Sequence, residues 1–223
     1  MARNKSQKSD AVIVVGLGRF GSAVADSLSR LGHDVLAIDA SQELVQTWSD
    51  RLTHVVQADG SNMEALRRLG VSDFDHAVVA IGDDVEASVL TVLTLSELGV
   101  KDIWAKARTE RHGCILERTG AHHVVYPEAA MGERVAHMVT GKIIDFIEFD
   151  DGFAIIKTCP PAEAVGQTLA GSALRSKFGV TIVGVKSRGT DFTYATPETV
   201  VEEGDLLIVA GPTHLVEKFA SIT

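Results

Sequence analysis

The sequence predicts an α/β chain: a doubly wound parallel sheet followed by a small α+β lobe. Three observations carry this reading. Short β-branched runs alternate with helical stretches from residue 11 to about 141. A glycine-rich loop, Gly16-Leu17-Gly18-Arg19-Phe20-Gly21, directly follows the first apolar run. Beyond about residue 150 the alternation ends and strand-like runs dominate.

The elements follow in order. The run 11–15 (AVIVV) reads as a buried strand, and 22–31 as the helix after the glycine loop. A second strand is expected at 34–39 (DVLAID) and a helix at 41–49. Residues 54–57 form a third strand, and a helix over 62–69 stops at Gly70. The fourth strand is 77–81 (AVVAI), with a helix over 85–98 closed by Gly99. Residues 102–106 (DIWAK) are the fifth strand, 110–119 a helix ended by Gly120, and 123–126 the sixth strand. Right-handed crossovers then imply the order 3-2-1-4-5-6. A helix over 127–140 follows, with Val135, Met138 and Val139 suited to one buried face. An apolar run spans 143–149, and Asp150-Asp151-Gly152 signals a turn. Strands at 153–158, 181–186 and 206–210 and a helix at 212–220 complete the chain. The domains expected are a polar, disordered tail at 1–10, a first domain at 11–149 and a lobe at 150–223. The lobe has about 75 residues. That is small for an independent core, so it is expected to pack on the first domain or on a copy of itself.

Composition narrows the function. The chain has 223 residues, 45% of them hydrophobic, enough for a real core. Its net charge of −9 argues against nucleic-acid or membrane-surface binding. Cys114 and Cys159 form no metal-ligand cluster and read as reduced thiols in a cytosolic protein. No apolar run approaches the ~20 residues needed to span a bilayer.

The chemistry concentrates at strand ends. Gly16, Gly18 and Gly21, between a strand and a helix, allow a tight turn and bring backbone N–H groups to a pyrophosphate. The helix N-terminus holds the negative charge there. This is the fingerprint of a Rossmann-like nucleotide site, with Arg19 and Phe20 inside the loop. Hydride-transferring enzymes more often keep the Arg19 position small or apolar, whereas an arginine reaches toward a terminal phosphate. Asp39 ends the second strand, 18 positions after Gly21, and is placed to accept hydrogen bonds from ribose hydroxyls. It would repel a 2′-phosphate, which disfavours NADP. Asp39 or Ser41 equally fits a helix N-cap. Asp59 and Gly60, Ile81 and Gly82, and Lys106 and Arg108 follow the third, fourth and fifth strands. There they read equally as ligand contacts or as ordinary turn residues. His122 and His123 are adjacent and cannot share one strand face. Asp73, Asp75, Asp83 and Asp84 read as solvated turns and caps. No nucleophile elbow, zinc spacing, P-loop or nucleophile–base pair is present.

Several runs then act together. Besides the glycine loop and Asp39 there are ADGSN at 58–62, AIGDD at 80–84, IWAKAR at 103–108, ERTGAHHVVYPE at 117–128 and EEGDLLIVAG at 202–211. In combination they resemble the RCK (KTN) domain of cytosolic Ktr/Trk potassium-uptake subunits, over about residues 10 to 220. The resemblance implies a Rossmann-like domain with an RCK C-terminal lobe in which Gly204-Asp205 starts an inner strand. It implies no catalysis. It implies a dimer built through the first domain and its crossover helix, and an octameric ring of four dimers docked on a membrane potassium channel or transporter subunit. The chain would then be cytoplasmic, peripheral to the inner face of the membrane through that partner. ATP and ADP would bind at the strand ends and shift the ring between shapes. Gly16, Gly18 and Gly21 would line the phosphates, Asp39 hold the ribose and Arg19 approach the terminal phosphate. Glu128 would help hold a divalent cation, Mg2+, beside it. Trk-type members often favour NAD(H), which is the alternative ligand; Arg19 and Glu128 favour ATP/ADP. Some relatives bind cyclic di-AMP between two C-terminal lobes. The nearest segment is 175–182, where Thr181 stands in place of a different polar residue. An NAD-dependent oxidoreductase would need an acid/base residue facing the nicotinamide, and the last 75 or so residues hold one histidine, His214. A redox-sensing transcription factor would need a basic recognition helix, which is missing.

Overall fold

The computed structural model describes residues 11–139, 142–149 and 151–223. The tail expected at 1–10 lies outside the described residues. The first half alternates as β1 (Val12–Val15), α1 (Arg19–Arg30), β2 (Val35–Asp39), α2 (Gln42–Trp48), β3 (His54–Gln57) and α3 (Met63–Arg68). It continues with β4 (His76–Val79), α4 (Val85–Glu97), β5 (Asp102–Lys106), α5 (Glu110–Thr119) and β6 (His123–Val125). All six strands are parallel, in the expected order β3-β2-β1-β4-β5-β6. β1 is central, and all four of its residues are buried. Alternation sends Ile13 and Val15 to one face, with Leu36, Ile38, Leu66, Val92 and Ile103. Val14 goes to the other face, with Leu17, Ala25, Val35 and Ala37. Two separate apolar layers therefore clamp the sheet, which is why β1 reads as an unbroken β-branched run.

Two boundaries differ from expectation in ways that shape the site. α1 begins at Arg19 rather than residue 22, so half of the glycine loop is already helix. Gly18, its N-cap, provides no side-chain acceptor for the first-turn N–H groups. β4 ends at Val79, which leaves Ile81 and Gly82 in the following loop.

The chain forms two compact units, one ending at Glu128 and one beginning at Ala129. α6 (Pro127–Val139) starts at this division, and β7 (Ile143–Phe149), expected with the first domain, pairs instead with β8 (Phe153–Thr158). Of the 150–152 turn signal, Asp151 and Gly152 lie between two strands of one antiparallel sheet, and Asp150 lies outside the described residues; the second compact unit begins before this turn. Then come α7 (Leu169–Ser172), α8 (Leu174–Phe178), β9 (Thr181–Lys186), β10 (Thr193–Tyr194), β11 (Leu206–Pro212) and α9 (Thr213–Ala220). The sheet order is β10-β9-β11-β8-β7. β11 is the inner strand expected to follow Gly204-Asp205, and the buried Asp205 accepts a hydrogen bond from the Glu202 N–H at 2.9 Å. This unit has its own core, with Phe146, Ile156, Leu174, Leu207, Val209 and Phe219 fully or almost fully buried. α6, by contrast, buries none of its residues. Val135 is 47% exposed and Val139 77%, because no other part of the described chain covers them.

Candidate nucleotide site

A cavity of about 350 Å³ opens at the carboxyl ends of β1, β2 and β4, where the strand order reverses. That is the position at which open α/β sheets bind ligands, and the volume lies within the range of small-molecule pockets. Gly16, Gly18, Asp39, Asp59, Gly60, Ile81 and Gly82 line it. Gly21, Arg19, Phe20, Lys106 and Arg108 do not.

The three glycines have different jobs. Gly16 has φ of +98°, a conformation that L side chains rarely adopt, and its hydrogen bond to the Ile38 carbonyl at 2.8 Å ties the loop to β2. A Cβ on Gly21 would lie 1.8 Å from the Gly16 carbonyl oxygen, so Gly21 lets α1 pack on the loop. A Cβ on Gly18 would meet nothing within 4 Å. Its bareness leaves the α1 N-terminus open to an incoming group, beside first-turn N–H groups that no side chain caps.

Asp39 faces this loop. Its Oδ2 accepts the Leu17 N–H at 2.6 Å and its Oδ1 the Ser41 N–H at 2.7 Å. Ser41 is the N-cap of α2, accepting from the Leu44 N–H, so the cap role falls to it and not to Asp39. An ionised carboxylate has about four lone-pair positions, and two remain for ribose hydroxyls. Asp59 Oδ1 accepts from both Ser61 Oγ at 2.7 Å and Ser61 N–H at 2.8 Å. These bonds hold its carboxyl below the ordinary value, against a smaller opposing effect of burial.

Cations gather on the loop side. Arg19 is exposed at the first position of α1. Lys106, at the end of β5, places Nζ 2.6 Å from Glu128 Oε1 and 5.8 Å from the Phe20 ring centroid. The Lys106 hydrogen bond, together with the charges of Lys106 and Arg19, holds Glu128 below the usual carboxylate range. Phe20 itself lines a separate apolar groove of about 490 Å³ on the α1 face of the sheet, with Val24, Leu28, Val78 and Trp104. Arg108 is exposed, and its N–H donates to His112 Nδ1 at 3.4 Å. Burial, and then the Arg108 charge, push the His112 pKa down.

Sequence reasoning missed the cavity's apolar side: Leu44, Ala58 and Ala87 beside Ile81. Nothing in their residue type signals a ligand; only the fold brings them together. Asp83 and Asp84 also line the cavity, and Asp84 caps α4 as expected, accepting from the Ala87 N–H at 2.9 Å. An apolar side, a bifunctional Asp39 and an uncapped helix start flanked by cations fit a nucleotide. Among the described residues no group of three or more His, Cys, Asp or Glu could hold a metal ion. A divalent cation would therefore need phosphate oxygens besides Glu128. In the C-terminal unit a cavity of about 580 Å³ is lined by Arg175, Ser176, Thr181 and Ile182, within the segment singled out in the sequence, together with Thr196 and Pro197.

Residues 12–127 match the TrkA-N domain family and residues 155–223 the TrkA-C domain family. The chain belongs to the TrkA-N/TrkA-C potassium-uptake family. It is 36% identical over 208 residues to Ktr system potassium uptake protein C of Bacillus subtilis, covering 92% of this chain and 94% of that one. Ktr system potassium uptake protein A of the same organism is 32% identical over 213 residues, covering 95% and 96%. Among solved structures the fold resembles the GsuK RCK domain, with a TM-score of 0.65 at 21% identity over 99% of this chain. This chain spans about half, 49%, of that one. Related GsuK structures are described as bound to NAD and to ADP, with TM-scores of 0.54 and 0.53. They cover 98% and 62% of this chain, and this chain spans 39% and 35% of theirs. The chain shares its Rossmann-like fold with those structures. No helix among its described residues is long and apolar enough to cross a membrane.

Proposed function

We propose that the chain is a regulatory subunit, without catalysis of its own, that gates a membrane potassium channel or transporter in response to ATP and ADP. The observation that carries the reading is the charge arrangement at the cavity. Arg19 and Lys106 stand with Glu128 on the glycine-loop side, while Asp39 stands on the β2 side. ATP and ADP differ by one phosphate, and a cation beside the α1 N-terminus senses that difference through charge-assisted hydrogen bonds. Gly16 and Gly18 approach the phosphates, Asp39 takes the ribose, and Leu44, Ala58 and Ile81 face the base. Glu128, with the terminal phosphate, holds Mg2+. The nucleotide shifts the assembly only by binding its states unequally, and about 1–3 kcal/mol per site suffices when summed over a ring.

The partner is a membrane subunit reached from the cytoplasmic side. The apolar groove beside Phe20 and the uncovered α6 support assembly with further copies, as a homodimer and an octameric ring. NAD(H) is the second reading, since the Asp39 carboxylate serves an NAD ribose equally well. The cavity at Arg175 and Thr181 is a place for cyclic di-AMP. Arg19→Ala tests the main reading: calorimetry should show ATP-over-ADP preference abolished while adenosine still binds. Unchanged preference would remove Arg19 from its role.

A further inference from the structure

The Lys106–Glu128 pair is built unevenly. The Lys106 side chain is 13% exposed, whereas Glu128 is 66% exposed. The lysine is largely enclosed, whereas the glutamate stands mostly in water. A Cβ on Gly82 would lie 3.1 Å from Lys106 Nζ, so this ammonium rests against a residue that lines the cavity. Phe20 flanks it from α1, 5.8 Å away. The Lys106 charge therefore stands at the cavity rim beside the glycine loop, but its nearest anion, at 2.6 Å, comes from the first turn of α6.

We infer that Glu128 is an internal competitor for the nucleotide: a phosphate arriving at the glycine loop takes Lys106 from it. This deepens the nucleotide reading and rests on it. A carboxylate offers Lys106 one negative charge. A terminal phosphate offers nearly two and more acceptor oxygens, so it wins the exchange. Leaving Lys106 costs Glu128 little, because it is mostly in water and Arg19 lies nearby. The exchange has two consequences. Anions too weak to displace Glu128 are rejected, and Glu128 is released as a cation ligand only once a phosphate is present. Nucleotide and Mg2+ binding thus become coupled through Lys106.

The test is calorimetry of ADP and ATP on the full chain in EDTA, where no divalent cation masks the competition. Wild type, Glu128→Gln, Lys106→Met and the double variant are compared, with thermal melts to verify folding. Glu128→Gln should tighten both nucleotides about 3- to 10-fold, and Lys106→Met should weaken them. In the Lys106→Met background Glu128→Gln should have no effect. The inference is overturned if Glu128→Gln leaves binding unchanged or weaker, or if the tightening survives without Lys106. Wild-type protein that binds neither nucleotide would reject the nucleotide reading itself, a different result from binding that ignores Glu128.

Discussion

At the scale of single residues, the glycine loop separates folding from binding. Gly21→Ala puts a Cβ 1.8 Å from the Gly16 carbonyl oxygen, so it should cost about 1–3 kcal/mol in urea unfolding. Gly18→Ala meets open space, so stability should hold while nucleotide affinity falls. Equal stability losses in both would place Gly18 in the fold rather than the site. His112 gives a second residue-scale test. It is 3% exposed, its Nε2 has no hydrogen-bond partner among the described residues, and burial lowers its pKa. As pH falls through about 6.5 the unfolded chain takes up a proton that the folded chain refuses, so stability drops. His112→Phe should flatten urea-unfolding stability between pH 7.5 and 5.5. An undiminished slope would show that His112 is not the cause. The places of Asp39, at the end of β2, and Gly60, in the loop after β3, were legible in the sequence. The pairing of Lys106 with Glu128 was not, because it joins side chains 22 positions apart on different elements.

Between elements, Asp102 knits three strand starts together. It accepts from Trp104 Nε1 at 3.2 Å and pairs with His76 Nδ1 and His123 Nε2, each at 3.1 Å. Trp104 and His123 also stack, with ring centroids 4.1 Å apart. Burial pushes the Asp102 carboxyl up, but the bonds from His76 and Trp104 and the histidine charges outweigh it, so the value lies below the ordinary one. Its contribution is present above the unfolded value of about 3.9 and is lost as pH falls through the folded one. Asp102→Asn should cost about 1 kcal/mol in chemical denaturation at pH 7. No change would mean that β4, β5 and β6 are held by backbone pairing alone. The parallel half was legible element by element, because β-branched runs and glycine stops recur at regular spacing. α7, α8 and β10 were not: four, five and two residues are too few to show a period. The expected buried face of α6 is uncovered in the single chain for a different reason. Its apolar residues Met131, Val135 and Val139 recur every fourth position, a helical stripe that names a face without naming what covers it.

For the whole molecule, that stripe and the groove beside Phe20 bear on the proposed assembly. The purified chain should sediment as a dimer or larger species, and Val135→Ser/Val139→Ser should shift it toward the monomer. A wild-type monomer at micromolar concentration would remove the ring from the account. Structures sharing the fold are described as bound to NAD and to ADP, so the decisive question for the proposed site is which nucleotide the cavity prefers. The measurement that bears on it most directly is calorimetric binding of ATP, ADP and NADH to the full chain, with and without Mg2+. The account predicts tight binding of both ATP and ADP, with Mg2+ acting on ATP alone and NADH binding more weakly. Preferential NADH binding, indifferent to Mg2+, would contradict it and reduce Arg19 to a pyrophosphate contact.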